Sequence, residues 1–253
     1  MTKFLVPFSF ITSMVLCFTS FLSLADAGTV EKNLRAFDNG RFAGMPIKVL
    51  GELPLKGFYE VLLDGQHVVV DESGQYILLG GIIDLATRED VAKIHHNKGR
   101  SDRAKNAIAK LPQDIFVSYA PKGEVKGTVY VYSDPNCGYC KKVHKEVDQY
   151  MAAGIEVKYI PYPIFGQKSV EQTKQMMCAD NPEEAMTELM FGTDKGKYAK
   201  ASYSKVCSQL VSLGSASGKG LGITGTPYIY LSTGQVIAGY QSATVIINEL
   251  TKG

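Results

Sequence analysis

The sequence predicts an α/β unit preceded by a smaller β-rich unit, giving an α+β chain overall. Three observations carry that expectation. Thr128-Val-Tyr-Val-Tyr-Ser133 reads as a strand, Asp134-Pro-Asn136 turns it into a helical pattern, and Ile155-Glu-Val-Lys-Tyr-Ile160 reads as a second strand. That order is a βαβ crossover, for which parallel pairing is expected. Upstream, short β-branched or aromatic runs are divided by Asp64-Gly65 and Ser73-Gly74, both hairpin-type dipeptides. The 253 residues are 45% hydrophobic and 21% charged, enough apolar material for one or two packed cores, which excludes a disordered or collagen-like chain.

In chain order, residues 1–27 read as a cleaved secretory signal. Phe4 to Ala25 carries no charge and leads into Ala25-Asp26-Ala27, a small-x-small cleavage pattern. A membrane anchor is the rival, because 22 uncharged residues could span a bilayer. Pro7 and scattered Ser and Thr residues dilute the hydrophobicity and favour cleavage. Cys17 follows Leu16, where a lipoprotein signal wants a small residue, so it is expected to be discarded.

Residues 28–83 form the β-rich unit. Val30, Leu34 and Phe37 have helical spacing within Val30–Phe42, and Phe58–Leu63, Gln66–Val70 and Gln75–Leu79 are the expected strands. A unit of about 55 residues makes a marginal core, so it is expected to lean on an identical partner. Residues 84–113 are polar and helix-compatible. The basic excess there is small and no aromatic residue is interleaved, which favours a solvated linker helix over a nucleic-acid arm. Gly99 is a candidate interruption and Pro112 marks the end. A net charge of +2, from 27 basic and 25 acidic residues, likewise gives no reason to expect a nucleic-acid partner.

Residues 114–253 form the α/β unit. After Cys137, the positions Cys140, Val143, Val147, Tyr150 and Met151 give a helix one buried face before Gly154 stops it. A helical stretch from about Ser169 to Leu213 follows, within an insertion spanning about 165–220. The chain then resumes with Tyr228–Leu231, the turn Ser232-Thr-Gly-Gln235, Val236–Ala238 and a final helix near Ala243–Leu250.

The five cysteines carry the chemistry. Loss of the leader removes Cys17 and leaves Cys137, Cys140, Cys178 and Cys207, an even number in a chain bound for an oxidising compartment. Cys137-Gly138-Tyr139-Cys140 begins a helix directly after a strand. The first thiol then lies against free helical N–H groups and the positive dipole end, which favours its thiolate. Cys137 is therefore the expected nucleophile. Cys140, one turn further in, is placed to resolve a mixed disulfide, and Gly138 and Tyr139 lie where they can tune the redox potential.

Other readings of the motif are weaker. A c-type haem site needs His after the second Cys, where Lys141 stands. His144 follows Cys140 by four residues on one helical face, but Cys178 and Cys207 form no second CxxC, so neither zinc nor any other metal or cofactor is expected. A purely structural Cys137–Cys140 bridge would close too small a loop to stabilise much. Bridging Cys178 to Cys207 would close a loop of about 30 residues worth roughly 3.5 kcal/mol, which favours a structural disulfide over a second redox centre. Pro227, in Gly225-Thr226-Pro227-Tyr228, reads by itself only as a strand-start proline.

Together, Ser133-Asp-Pro-Asn-Cys-Gly-Tyr-Cys140, Gly225-Thr-Pro227 and Gly239-Tyr-Gln241 resemble the periplasmic disulfide isomerases of the DsbC/DsbG family, over nearly the whole chain beyond the leader. The resemblance implies a thioredoxin fold with a helical insertion, behind a dimerisation domain at 28–83 and a linker helix. It implies that Thr226-Pro227 is a cis-proline loop beside the redox pair that receives extended substrate, and that Cys178–Cys207 is the family's structural disulfide. It also implies a homodimer whose cleft holds misfolded exported polypeptides, and a DsbD-like membrane electron donor. Met177 departs from relatives that place Trp there, and the linker is long. Two further functions stay open from sequence: a net thiol oxidase of the same fold, and a holdase chaperone acting through the dimer cleft. Thr128–Ser133 contains no acidic residue to accept the Cys140 proton.

Overall fold

The structure is a computed structural model that describes residues 26–37, 40–200 and 202–251. The expected leader, with Cys17, lies outside these residues apart from its last two positions. No helix among the described residues is long and apolar enough to cross a membrane.

The N-terminal half contains helix α1 (Ala27–Ala36) and the strands β1 (Ile47–Glu52), β2 (Phe58–Leu63), β3 (Gln66–Asp71) and β4 (Ile77–Leu78). The strands form an antiparallel sheet in the order β1-β2-β3-β4. Val30 and Leu34, one turn apart on α1, pack with Tyr59, Val61 and Val70 of the sheet. Phe37, expected on the same face, is instead the C-cap of α1 and 40% exposed. The Asp64-Gly65 turn behaves as its sequence predicts. Both residues have positive φ, 48° and 79°, and Leu63 pairs directly with Gln66, so a type I′ turn joins β2 to β3.

Two differences from expectation have local causes. β1 was hidden in the sequence because its register shifts between Val49 and Gly51, which breaks the alternation that marks a strand. β4 shrinks to two residues because the Asp71 side chain accepts from the backbone N–H of Tyr76 at 2.8 Å and from the Ser73 hydroxyl, holding the preceding residues in a turn.

Helix α2 (Val91–Ala109) connects the two sheets. Asp90 caps it by accepting from Lys93 N–H at 3.1 Å. Gly99 does not interrupt it. The helix runs through Gly99 where it passes the sheet, and a Cβ there would lie 3.1 Å from the Arg103 guanidinium. Only Ala104 and Ile108 of α2 are buried.

The C-terminal half is built on a five-stranded sheet in the order β5-β7-β6-β8-β9. Its strands are β5 (Val117–Tyr119), β6 (Gly127–Ser133), β7 (Ile155–Pro161), β8 (Tyr228–Leu231) and β9 (Val236–Ala238). β6 and β7 are parallel, as the βαβ order predicts, and the other pairs are antiparallel. Three-residue β5 is too short to show periodicity in sequence. The helix after Cys137 breaks at Glu146 into α3 (Gly138–Lys145) and α4 (Val147–Ala152). Cys140, Val143, Val147 and Tyr150 are buried there, while Met151 is only partly so. The stretch expected as one helical run is three helices: α5 (Gln167–Met177), α6 (Pro182–Phe191) and α7 (Lys205–Gly220). Asn181 caps α6, with Pro182 in its first turn, and Ser204 caps α7. Cys178 and Cys207 are joined as a disulfide with 5.4 Å between their Cα atoms, tying the end of α5 to the start of α7. Helix α8 (Ala243–Thr251) closes the chain against the same core.

Candidate active site

Strand β6 ends at Ser133 and delivers Cys137 to the first turn of α3. Cys137 is the N-cap, with extended backbone, and its sulfur accepts from Cys140 N–H at 3.3 Å. A sulfur at that position does what a capping oxygen does, and anionic sulfur does it better. Lys142 and Lys145 in the last turn complement the opposite end of the dipole.

The two thiols are driven apart in acidity. Donation from the Cys140 thiol, with help from Thr226 and from the backbone N–H groups of Cys140 and Tyr139, outweighs burial and lowers the Cys137 pKa to about 6. Burial foremost, and then the negative sulfur of Cys137 beside it, push Cys140 far above the ordinary thiol value. One proton is thus shared unequally, with thiolate on Cys137 and thiol on Cys140. Cys137 and Cys140 are 2% and 0% exposed, so both are buried and differ less in burial than the sequence suggests.

The Thr226-Pro227 peptide bond is cis and lies against the redox turn. As a thiol, Cys137 donates to the Thr226 carbonyl at 3.2 Å. The Thr226 hydroxyl is buried without another hydrogen-bond partner, which leaves it free to donate to the thiolate once that proton has left. Gly138 and Tyr139 stand between the sulfurs. The Tyr139 ring is exposed and stacks on Tyr240 at 6.1 Å, with the Lys142 ammonium over both rings at 5.0 and 5.7 Å. Tyr240 belongs to the Gly239-Tyr-Gln241 run, but sequence gave it no position beside Tyr139.

Two buried polar groups behind the cysteines also escaped the sequence reading. Asp134, which reads in sequence only as a turn residue, is fully buried. Its carboxylate accepts from Asn136 N–H (2.7 Å), the Ser169 hydroxyl (2.8 Å), Ile164 N–H (2.7 Å) and Phe165 N–H (3.0 Å). It therefore fastens the redox turn to the segment after β7. Ser133, at the end of β6, has a buried hydroxyl with no hydrogen-bond partner, close enough to Cys140 to favour its ionisation. His144, weighed above as a zinc ligand, is instead a buried imidazole between the Tyr159 hydroxyl (3.3 Å) and the Thr187 hydroxyl (2.9 Å), and burial lowers its pKa to about 4.

A parallel βα turn presenting a polarised CxxC pair beside a cis-proline loop defines a thiol–disulfide oxidoreductase of the thioredoxin fold. Residues 114–253 match the thioredoxin-like domain family, and residues 22–93 match the disulfide bond isomerase protein N-terminal domain family. The chain belongs to the DsbC family of thiol:disulfide interchange proteins. It is 30% identical over 190 residues to the thiol:disulfide interchange protein DsbC of Salmonella typhimurium, covering 74% of each chain. It is 26% identical over 243 residues to DsbC of Dickeya dadantii, covering 95% of this chain and 92% of that one. Among solved structures, the thiol-disulfide exchange protein alpha-DsbA2 of Wolbachia pipientis shares the fold. Its TM-score is 0.50 at 16% identity, over 65% of this chain and 99% of that one.

Proposed function

We propose that this oxidoreductase is a disulfide isomerase of exported proteins. The observation that carries the reading is the unequal thiol pair: a Cys137 sulfur whose pKa falls to about 6 beside a Cys140 thiol that holds its proton. In the cycle, the Cys137 thiolate attacks one sulfur of a non-native disulfide, forming a mixed disulfide and releasing a substrate thiolate. That thiolate attacks another substrate disulfide and eventually the mixed disulfide, regenerating Cys137 with no net oxidation. If rearrangement stalls, Cys140 loses its proton, attacks Cys137 Sγ and releases reduced substrate, leaving a Cys137–Cys140 disulfide. Two electrons from a DsbD-like membrane donor then restore the dithiol.

Thr226 and Pro227 would bind the substrate backbone beside Cys137, as an edge to which an extended segment adds. Gly138 and Tyr139 would tune the potential, and the Cys178–Cys207 disulfide would hold α5 to α7 without reacting. The leader would be cleaved and the mature chain would act in the periplasm. The N-terminal unit supports a homodimer. Its compact core is small, and beside it a cavity of about 760 Å³ is lined in part by Phe42, Met45, Leu63, Val68 and Leu79. Leu79 is 88% exposed in the single chain. A second copy covering that face would bring two redox sites to one cleft able to hold a misfolded polypeptide, which also suits chaperone activity.

Refolding of a scrambled multi-disulfide protein in glutathione buffer tests the proposal. Cys137→Ser is expected to abolish reshuffling, and Cys140→Ser to accumulate mixed disulfides with substrate. Reshuffling that survives Cys137→Ser would refute the assignment. A chain found mostly oxidised in the cell would make it a net oxidase instead.

A further inference from the structure

Away from the redox turn, three of the four histidines of the chain converge on one carboxylate. Glu60 on β2 is 3% exposed. Its Oε1 is bonded to Nδ1 of His67 on β3 at 2.9 Å and to Nδ1 of His96 on α2 at 2.6 Å, and its Oε2 to Nδ1 of His95 on α2 at 3.0 Å. Ligand atoms of Glu60, His67 and His96 all lie within 4.8 Å of one another. We propose that Glu60, His67 and His96 bind a divalent first-row transition-metal ion, zinc(II) or copper(II), which pins α2 to the N-terminal sheet. The proposal goes beyond disulfide exchange and does not depend on it.

Charge and chemistry both favour an ion there. A buried carboxylate is costly unless its charge is compensated. The three imidazoles around Glu60 converge through Nδ1, two of them on the same oxygen, so the donor atoms are already gathered where an ion would sit. Imidazole and carboxylate without thiolate are the ligands that zinc(II) and copper(II) accept. On binding, Nδ1 of His67 and of His96 turns from donor to ligand, and each ring proton moves to Nε2. His95 keeps its hydrogen bond to Oε2, which orients the carboxylate in the manner of an outer-sphere partner. The side chains of His67 and His96 are 35% and 22% exposed, so an ion can enter and the rings can close the remaining distance.

Three protein ligands leave at least one coordination position open. His67 and His96 line both the cavity of about 760 Å³, together with Glu60, and one of about 450 Å³ whose other walls include Thr226 and Pro227. Arg100 and Arg103 line that cavity too, and their charge opposes the ion. The site should therefore be weaker than a closed structural zinc site and able to exchange its ion.

The test uses the untagged full chain with Cys137 and Cys140 oxidised to a disulfide, so that thiolates cannot compete. Titration calorimetry with zinc(II), and absorption spectroscopy with copper(II), should each give one equivalent bound. His67→Gln and His96→Gln should each weaken binding by about 100-fold, and His95→Gln by about 10-fold, at the levels typical of ligand and outer-sphere losses. The two arms identify which ion binds more tightly. Zinc(II) should raise the melting temperature of the wild type but not of the double variant His67→Gln/His96→Gln, whose circular dichroism reports whether it is folded. Nitrogen-15 spectra should show both ring tautomers switching to protonated Nε2. Absence of stoichiometric binding by the wild-type chain, or equal binding by the folded double variant, would overturn the proposal.

Discussion

Two carboxylates are buried among the described residues, and they are held by opposite means. Asp134, in the C-terminal half, is surrounded by three backbone N–H groups and one hydroxyl, none of which titrates in the physiological range. Glu60, in the N-terminal half, is surrounded instead by three imidazole side chains, whose ring nitrogens are metal ligands as well as donors. The first arrangement is fixed by the course of the chain and fastens a turn whose geometry must not change. The second is made of groups that can exchange a proton for an ion. A buried acid is thus an anchor when the backbone satisfies it and a responsive element when side chains do.

The largest test of that contrast is Asp134→Ala. Losing the acceptor for four donors, three of them backbone groups with no alternative partner, should destabilise the chain by about 4 kcal/mol and displace the redox turn. Urea denaturation of the oxidised protein measures the stability, and the rate of Cys137 alkylation reports the turn. A loss below about 1 kcal/mol would mean that the clamp is not one. Glu60→Gln should cost less, about 1–2 kcal/mol by the same measurement, because the three imidazoles are partly exposed and can turn to water. Equal costs at the two positions would erase the distinction.

The gentlest test leaves the sequence intact. The Cys137 pKa lies near 6 in the folded chain against an ordinary thiol value of 9.0. Between those values the unfolded chain holds the proton and the folded chain does not, so the stability of the reduced protein should rise with pH over that window and level off above it. Below about 6 this contribution is gone. Iodoacetamide reactivity of Cys137 should follow a midpoint near the lower value, and a midpoint near 9 would show that the α3 N-terminus does not activate the sulfur.

Much of the C-terminal half was legible because its signals are local. The βαβ order, the turn into α3 and the face formed by Cys140, Val143, Val147 and Tyr150 all depend on residues within a few turns of one another. The three-helix division of 167–220 was missed although its caps, Asn181-Pro182 and Ser204, stand in the sequence, because the polar stretches between them read as continuous with the helices. The site divides the same way. Cys137 and Cys140 announce themselves by spacing, and Thr226-Pro227 could be placed beside them only through family resemblance. Apart from Asp134 with Asn136 and Glu60 with His67, the side-chain hydrogen bonds and ring contacts that Asp134, Tyr240 and Glu60 make in these sites span 30 to 101 positions, such as Asp134 with Ile164 and Tyr139 with Tyr240. No periodicity encodes a partner so far away.

The break at Glu146 has a consequence of its own. Because the helix stops there, the Glu146 carboxylate is free to receive Tyr240 O–H and Ala243 N–H, both at 2.8 Å. Tyr240 in turn rests on Tyr139, between the two cysteines. The last helix is thereby wired to the dipeptide that separates the sulfurs, through a linkage two side chains long. A nick after Tyr240 would cut the covalent path between the two ends of that linkage and leave the Ala243 N–H on Glu146 to carry it.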